Sequence, residues 1–273
     1  NTLRTWGTEQ LESPVHRERS TDQAPRLRPL VIVGIWIKHP RHGADYGDKN
    51  FVQDQRDRVR ASVQQYRNHP ALLLWGLGNE MEEAGDDLRV WQELEVLAQI
   101  VKSEDPNHPV CTVIAGTRNH KVATMQQHCP ALDLVGINLY AGAEQVDAAL
   151  STQGWQRPYL LTEFGPVGHW EVPTTSWGAP IEPSSAAKAQ HYHDAHSAQF
   201  ASNHGRCLGT FCFIWGHKQE TTATGFGMCL ASGERTPAVD TMHRLWTGAE
   251  PAHPAPVLHE LRAEFREAHV AAG

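Results

Sequence analysis

The sequence lacks the features of several large classes of protein. Its longest apolar stretches, such as residues 30–37, fall far short of the roughly 18 residues that a membrane helix needs. Basic residues number 24 against 31 acidic ones, and the net charge of −7 disfavours non-specific binding to nucleic acid. We therefore expect neither a membrane nor a nucleic acid among the partners of this chain.

Several motifs of cofactor and metal chemistry are also absent. The chain has no Gly-x-Gly-x-x-Gly, no P-loop and no Gly-x-Ser-x-Gly, and its five cysteines form no Cys-x-x-Cys pair. In the segment His-x-His-x-x-His, only His193 and His196 share a face of the predicted helix, which favours a solvated helix face over a zinc site. We expect no metal site, no cofactor, and reduced structural cysteines, of which Cys207 and Cys212 in or beside an apolar run are most simply buried.

Tryptophan, by contrast, is abundant, with nine copies among 273 residues. Aromatic faces are what a carbohydrate site needs, although tryptophan also fills protein cores. With 40% hydrophobic residues the chain can bury a core, and its length fits one large domain such as an α/β barrel.

Short apolar runs bounded by Gly, Pro or Asn alternate with helical patterns along most of the chain. Continuous runs of this kind are typical of strands that are buried on both faces of a parallel sheet. The predicted strands are Leu3–Trp6, Leu30–Ile37, Ala71–Leu77, Val110–Ala115, Leu132–Tyr140, Pro158–Thr162 and Leu208–Trp215. A (β/α)8 barrel has eight strands, so we predict an α/β TIM barrel that lacks its first strand in this chain.

Capping and proline signals mark the helices and the domain boundary. Asp48 is predicted to begin one helix, and Thr236 with the following proline to begin another. Three prolines after position 250 indicate a linker, which a charged helical pattern follows. We predict a barrel domain over residues 1–250, a linker and helical tail over residues 251–273, and a domain cut just before Asn1.

Two carboxylates directly follow predicted buried strands. Glu80 ends the run Trp-Gly-Leu-Gly-Asn-Glu, and Glu163 lies in the run Thr-Glu-Phe-Gly. The carboxyl ends of parallel strands are where active sites lie in barrels and open α/β sheets. Either glutamate alone is as easily a residue leaving the sheet into solvent, but together they favour a functional pair.

These motifs resemble those of the retaining glycoside hydrolases of clan A, and most closely the barrel domain of glycoside hydrolase family 2. The matching runs are Asn-Thr-Leu-Arg-Thr-Trp-Gly at residues 1–7, the run ending in Glu80, and Thr-Glu-Phe-Gly at residues 162–165. The resemblance implies hydrolysis of glycosidic bonds by double displacement through a covalent glycosyl-enzyme. It favours β-linked sugars as the substrates. It implies a carbohydrate substrate and no organic cofactor.

Carried over by position, Glu80 resembles the general acid/base and Glu163 the nucleophile of these enzymes. Such a pair needs one carboxyl group protonated and the other ionised. Arg4 would place a cation and Tyr140 a hydroxyl group against Glu163, while Asn79 would bind the 2-hydroxyl of the sugar. The structural alternatives are a salt bridge at the rim for Arg4, packing at the strand end for Tyr140 and a turn for Asn79.

Three further residues are predicted to bind substrate. Trp215 ends the last strand and resembles the aromatic floor under the reacting sugar, while His39 follows the third family strand and would contact a hydroxyl group. Trp170 lies in a long loop after Glu163 that resembles the wall of a subsite. Core packing for Trp215, a surface position for His39 and packing within the loop for Trp170 are the alternatives.

Two other functions remain open from the sequence. A transglycosylase would use the same site and transfer the sugar to another sugar. A truncated, non-catalytic glycan-binding module is the alternative from a different class, because the first strand is missing and prolines interrupt residues 9–29. The compartment stays open between the cytoplasm and a secreted or periplasmic location whose signal lies outside this chain.

Overall fold

The structure, a computed structural model, describes residues 2–12, 29–201 and 205–256. Seven parallel strands follow one another in chain order and form a nearly closed barrel with helices between them. The strands are β1 (Thr2–Arg4), β2 (Leu30–Ile35), β3 (Leu72–Leu77), β4 (Val110–Ala115), β5 (Leu134–Asn138), β6 (Tyr159–Phe164) and β7 (Cys207–Cys212). This partial TIM barrel confirms the predicted fold class.

Six α-helices lie within the described residues. They are α1 (Lys49–Tyr66), α2 (Leu88–Glu104), α3 (Lys121–His128), α4 (Val146–Thr152), α5 (Ser185–Ala201) and α6 (Pro237–Thr247). Asp48 caps α1 as predicted, since its carboxylate accepts hydrogen bonds from two backbone amides of the first turn. Thr236 precedes α6, whose first residue is the proline predicted there. None of these helices is long and apolar enough to cross a membrane.

The barrel interior is filled by side chains from neighbouring strands. One buried cluster contains a residue from each of the strands β2 to β6: Ile32, Leu74, Cys111, Leu134 and Leu160. Two residues further along β2, a Cβ on Gly34 would overlap the backbone of Thr5 and Trp6. Glycine therefore allows the close approach of the chain after β1 to β2 near the carboxyl end of the sheet.

The chain forms two compact units. The first comprises Asn1–Phe164 and Ala195–Phe213, and therefore contains all seven strands. The second comprises Gly165–Asp194 and Ile214–Gly273, and contains α6. Between residues 9 and 29 the structure describes a short 3₁₀ turn, Glu9–Glu12. The rest of that segment, residues 13–28, and the predicted tail helix at residues 258–268 lie outside the described residues.

Candidate active site

Glu163 lies near the carboxyl end of β6 and accepts hydrogen bonds from three side chains of the first unit. Arg4 Nη1 is 2.8 Å from its Oε1, and Trp6 Nε1 is 3.0 Å from the same oxygen. The hydroxyl of Tyr140 donates to Oε2 over 3.0 Å. The side chains of Arg4 and Glu163 are only 5% and 8% exposed. Glu163 is therefore a buried carboxylate that contacts one cation and two neutral hydrogen-bond donors.

The guanidinium of Arg4 also orients Asn79, the residue before Glu80. Arg4 Nη2 lies 2.6 Å from the Oδ1 of Asn79, while Nη1 also faces the backbone carbonyl of Thr162 at 3.4 Å. The planar, forked guanidinium can make both side-chain contacts at once. Because Arg4 fixes the amide oxygen of Asn79, the amide nitrogen of Asn79 is the group left to donate a hydrogen bond.

Glu80 stands on a tight turn just beyond the end of β3. Its backbone φ is 55°, in the left-handed region that non-glycine residues rarely adopt, and Gly78 has a φ of 69°. The Glu80 amide donates to the carbonyl of Val113 over 2.8 Å, and the Gly78 amide donates to Ile35 over 2.9 Å. The turn is thus held by both neighbouring strands, and a strained backbone that is held in this way is characteristic of functional sites.

Asn138 links the two carboxylate-bearing strands. Its Nδ2 donates to Glu80 Oε1 over 2.8 Å and to Asn79 Oδ1 over 3.1 Å. Its Oδ1 in turn accepts a hydrogen bond from the hydroxyl of Thr162, 2.9 Å away. Because Thr162 donates to the amide oxygen, the nitrogen must face Glu80, and this network fixes the orientation of the amide.

The surroundings of Glu80 differ from those of Glu163. Burial of its carboxyl group raises the pKa of Glu80 above the ordinary 4.5, and the negative charge of Glu163 raises the pKa further. The hydrogen bond from Asn138 acts in the opposite direction and lowers the pKa of Glu80. One carboxyl group is therefore biased toward its protonated form, while the other faces a cation, and this asymmetry suits an acid and a nucleophile.

A buried ion pair supports the turn that carries Glu80. Glu82 and Lys121 are 3% and 7% exposed, and Lys121 Nζ lies 2.9 Å from Glu82 Oε1. The same oxygen accepts from the amide of Ala115 over 2.9 Å, and Lys121 donates to the Ala115 carbonyl over 3.0 Å. This pair ties the segment after Glu80 to the end of β4.

The structure brings five of the predicted site residues together at the carboxyl end of the sheet in the first unit: Arg4, Asn79, Glu80, Tyr140 and Glu163. His39 is buried at 1% exposure and stacks on Trp36. Trp170 and Trp215 belong to the second unit, where they are 58% and 61% exposed. The proposed sugar contacts of His39, Trp170 and Trp215 stay predictions.

Three residues of the network escaped the sequence analysis. The sequence predicts Trp6 as part of a strand, yet β1 ends at Arg4. The indole of Trp6 instead donates a hydrogen bond to Glu163. Asn138 lies inside a longer predicted strand, and Thr162 belongs to the Thr-Glu-Phe-Gly motif without a predicted role of its own. A polar residue in an apolar run, such as Asn138, was the available signal, because an uncompensated amide is costly to bury.

Within the described residues, no group of three or more His, Cys, Asp or Glu side chains is placed to hold a metal ion. All five cysteines are unpaired, and burial raises the pKa of Cys111 to about 12.

Comparison with known proteins shows to which family the chain is similar. Residues 38–176 match the family described as "Glycosyl hydrolases family 2, TIM barrel domain". A β-glucuronidase of Bacteroides fragilis is 35% identical over 82 residues, which is 27% of this chain and 11% of that protein. A β-galactosidase of Klebsiella pneumoniae is 31% identical over 116 residues, which is 39% of this chain and 10% of that protein.

Solved structures share the fold. A Bifidobacterium dentium β-glucuronidase in complex with coumarin-3-O-glucuronide has a TM-score of 0.63 at 17% identity and covers 91% of this chain. A family 2 β-galacturonidase from Eisenbergiella tayi, bound to galacturonate, has a TM-score of 0.59 at 16% identity and covers 81%. This chain covers 41% of each of those two structures, and about a tenth of the curated relatives above.

Proposed function

Because this chain belongs to glycosyl hydrolase family 2, whose TIM-barrel domain matches half of it, we propose that it is a retaining O-glycosidase acting on β-linked sugars. The single observation that supports this most is the unequal pair of carboxyl groups. Glu163 faces a cation and two neutral donors, whereas Glu80 is biased toward the protonated form by burial and by the charge of Glu163. Two carboxyl groups in opposite states are what double displacement requires.

In the first step, Glu163 attacks the anomeric carbon while Glu80 donates its proton to the departing oxygen. The bond to the leaving group breaks, and a covalent glycosyl ester forms on Glu163. Esterification removes the charge of Glu163, so that one cause of the raised pKa of Glu80 disappears. Glu80 is then more readily ionised and can act as the base.

In the second step, Glu80 takes a proton from an incoming water, whose oxygen attacks the anomeric carbon. The ester bond to Glu163 breaks, and the sugar leaves with its original anomeric configuration. Arg4, Trp6 and Tyr140 keep Glu163 aligned for both steps. The amide nitrogen of Asn79 is the proposed donor to the 2-hydroxyl group, and this contact strengthens in the transition state.

We also propose that residues 1–250 are the catalytic domain and that residues 251–273 are a linker and tail. Within the described part of that segment, Ala255 donates to the carboxylate of Asp240 over 2.5 Å, and the His253 carbonyl accepts from Arg235 over 2.5 Å.

The names of the relatives suggest a uronic acid or galactose as the sugar at the cleaved bond. The sugar is therefore best identified with a panel of substrates.

The proposal is tested by trapping the intermediate. The chain is incubated with 2,4-dinitrophenyl 2-deoxy-2-fluoro-β-glycosides of glucose, galactose, mannose and glucuronic acid, and labelled peptides are mapped by mass spectrometry. We expect the label on Glu163, with no labelling of Glu163→Gln and unchanged labelling of Glu144→Gln, an exposed carboxylate on the 3₁₀ turn before α4. A label on another residue would refute the assignment of the nucleophile.

The alternatives give different outcomes in the same experiments. A transglycosylase is labelled at Glu163 but yields longer oligosaccharides at low acceptor concentration instead of free sugar. A glycan-binding module binds the same glycosides without any label or turnover. Free sugar with retained configuration, measured by NMR during the first turnovers, supports the proposed hydrolase.

A further inference from the structure

Trp36 stands at the carboxyl end of the barrel and is 51% exposed. It directly follows β2, in which Ile32 belongs to the interior cluster. Trp36 lies just past the strand, and burial alternates over residues 35–39 as in an extended chain, which places Trp36 on the same side as Ile32 and Gly34. Because the Gly78 amide donates to the carbonyl of Ile35, the strand pairing continues to the residue before Trp36. Its indole therefore lies at the mouth of the barrel interior.

The neighbours of β2 are the strands that carry the proposed catalytic machinery. On one side β1 ends at Arg4, and on the other side β3 leads into the turn with Asn79 and Glu80. The strand of Glu163, β6, is four positions away in the sheet order. Trp36 thus stands on the wall beside the proposed acid/base rather than on the wall that carries the nucleophile.

The buried imidazole of His39 packs against one face of the Trp36 indole. The His39 ring is stacked on it with centroids 5.2 Å apart and an interplanar angle of 30°. His39 is 1% exposed, and burial lowers its pKa, so that a neutral ring is favoured. Neither of its ring nitrogens makes a hydrogen bond of good geometry, although the backbone of Asn79 lies near.

This arrangement differs from that of an isolated surface tryptophan. Single exposed apolar side chains are common and need no explanation. Here one face of the indole is covered by His39, while half of the side chain stays open at the mouth of the barrel. Burying a histidine without hydrogen bonds is costly, so its position calls for a reason. Holding the indole flat and rigid is such a reason.

We propose that Trp36 is the platform on which the leaving-group ring of the substrate stacks, with His39 as the residue that positions it. This inference rests on the proposed function, because the leaving group lies on the side of the acid that protonates its oxygen. Glu80 is that acid, and Trp36 is on the adjacent strand. Flat rings, whether the C–H face of a sugar or an aryl group, are the chemistry that an open indole face binds.

The kinetic test compares leaving groups with and without a ring. The 4-nitrophenyl β-glycosides of glucose, galactose, mannose and glucuronic acid are each paired with the β-glycosyl fluoride of the same sugar. We expect Trp36→Ala to raise KM for the nitrophenyl substrate about tenfold, the loss of one stacking contact, and to leave KM for the fluoride unchanged. Trp36→Phe should keep most of the affinity, and His39→Ala should also raise the nitrophenyl KM, because the indole loses the ring that is stacked on it.

The matched control is Trp246→Ala, which removes an equally exposed tryptophan, 53% exposed, from helix α6. An equal rise in KM for the fluoride would show that Trp36 contacts the reacting sugar instead, and it would overturn the proposal. Unchanged KM values for both substrates would overturn it as well.

A binding experiment separates this inference from the proposed function. The 4-nitrophenyl glycosides are titrated calorimetrically into the Glu163→Gln chain with and without Trp36→Ala, so that turnover is not needed. Binding that weakens about tenfold in the double variant supports the platform, even if the wild-type chain shows no hydrolysis. Equal binding by both variants, or no binding by either, would overturn it.

Discussion

The amide nitrogen of Asn138 lies 2.8 Å from Oε1 of Glu80 and connects the turn after β3 to the end of β5. This hydrogen bond lowers the pKa of Glu80, whereas burial and the charge of Glu163 raise it. The protonation state of the proposed acid is therefore set by a balance in which a neutral side chain takes part. The balance can be shifted without removing either carboxylate.

We expect Asn138→Ala to move the alkaline limb of the pH profile of kcat/KM to higher pH. The reason is that loss of the hydrogen bond raises the pKa of Glu80, so the protonated acid persists to higher pH. The measurement is kcat/KM across the pH range on a 4-nitrophenyl glycoside. Thr112→Val is the control, since it removes a different buried hydrogen-bond donor, a hydroxyl that donates to the backbone carbonyl of Leu77. An alkaline limb that stays in place or moves to lower pH would contradict the role given to Asn138.

Much of the fold is readable from the sequence because parallel strands buried on both faces appear as short continuous apolar runs. The short helices α3 and α4 gave no amphipathic stripe long enough to be assigned from the pattern alone. Strand ends were the weaker part of the prediction. The predicted strand over residues 30–37 hides that β2 ends at Ile35, and with it the exposure of Trp36.

The site was predictable where a carboxylate follows an apolar run, as for Glu80 and Glu163. The donors around them depend on side-chain directions across strands that are far apart in the sequence. Trp6 is 157 residues from the carboxylate to which it donates. No local pattern contains such a contact, and a tryptophan next to a strand fits core packing equally well.

A second prediction concerns Arg4, because its guanidinium donates hydrogen bonds to both Glu163 and Asn79. We expect Arg4→Lys to lower kcat/KM by about 10²-fold, since an ammonium keeps the charge but cannot span both partners. Arg4→Met should lower it further and destabilise the fold by about 3–5 kcal/mol, because Glu163 is left as an uncompensated buried charge. The measurements are steady-state kinetics and urea denaturation.

The control for Arg4 is Arg56→Met on helix α1. Arg56 forms a two-pronged ion pair with Glu93, which is 5% exposed, so its removal also leaves a buried carboxylate without a partner. We expect that variant to lose stability and to keep its kcat/KM at temperatures where it is folded. If the two variants lose activity equally, Arg4 acts only through stability.

The raised pKa of Glu80 also predicts a cost in stability at neutral pH. A carboxyl group with a higher pKa in the folded state binds more protons than in the unfolded state, so the free energy of unfolding falls as pH rises above 4.5. Glu80→Gln removes this effect and should therefore be more stable than the wild type at neutral pH. Below pH 4.5 the difference should vanish. Urea denaturation at both pH values tests the prediction, with Glu144→Gln as an exposed control, and a gap that grows toward low pH would contradict it.

Azide distinguishes the roles of the two carboxylates, because we expect it to form a different product with each alanine variant. In Glu80→Ala, Glu163 is still glycosylated by substrates with a good leaving group, but the base for the second step is missing. We expect turnover to fall by about 10²–10⁴-fold and to be restored by azide, which attacks the ester and gives the β-glycosyl azide.

In Glu163→Ala the nucleophile itself is missing, and azide can enter the space that its carboxylate occupied. A single displacement from that face inverts the anomeric centre, so a β-fluoride or a 2,4-dinitrophenyl β-glycoside should yield the α-glycosyl azide. Proton NMR of the anomeric coupling distinguishes the two azides. The α-azide from Glu80→Ala together with the β-azide from Glu163→Ala would reverse the assignment, and Glu80 would then be the nucleophile despite the cation and the two donors that face Glu163.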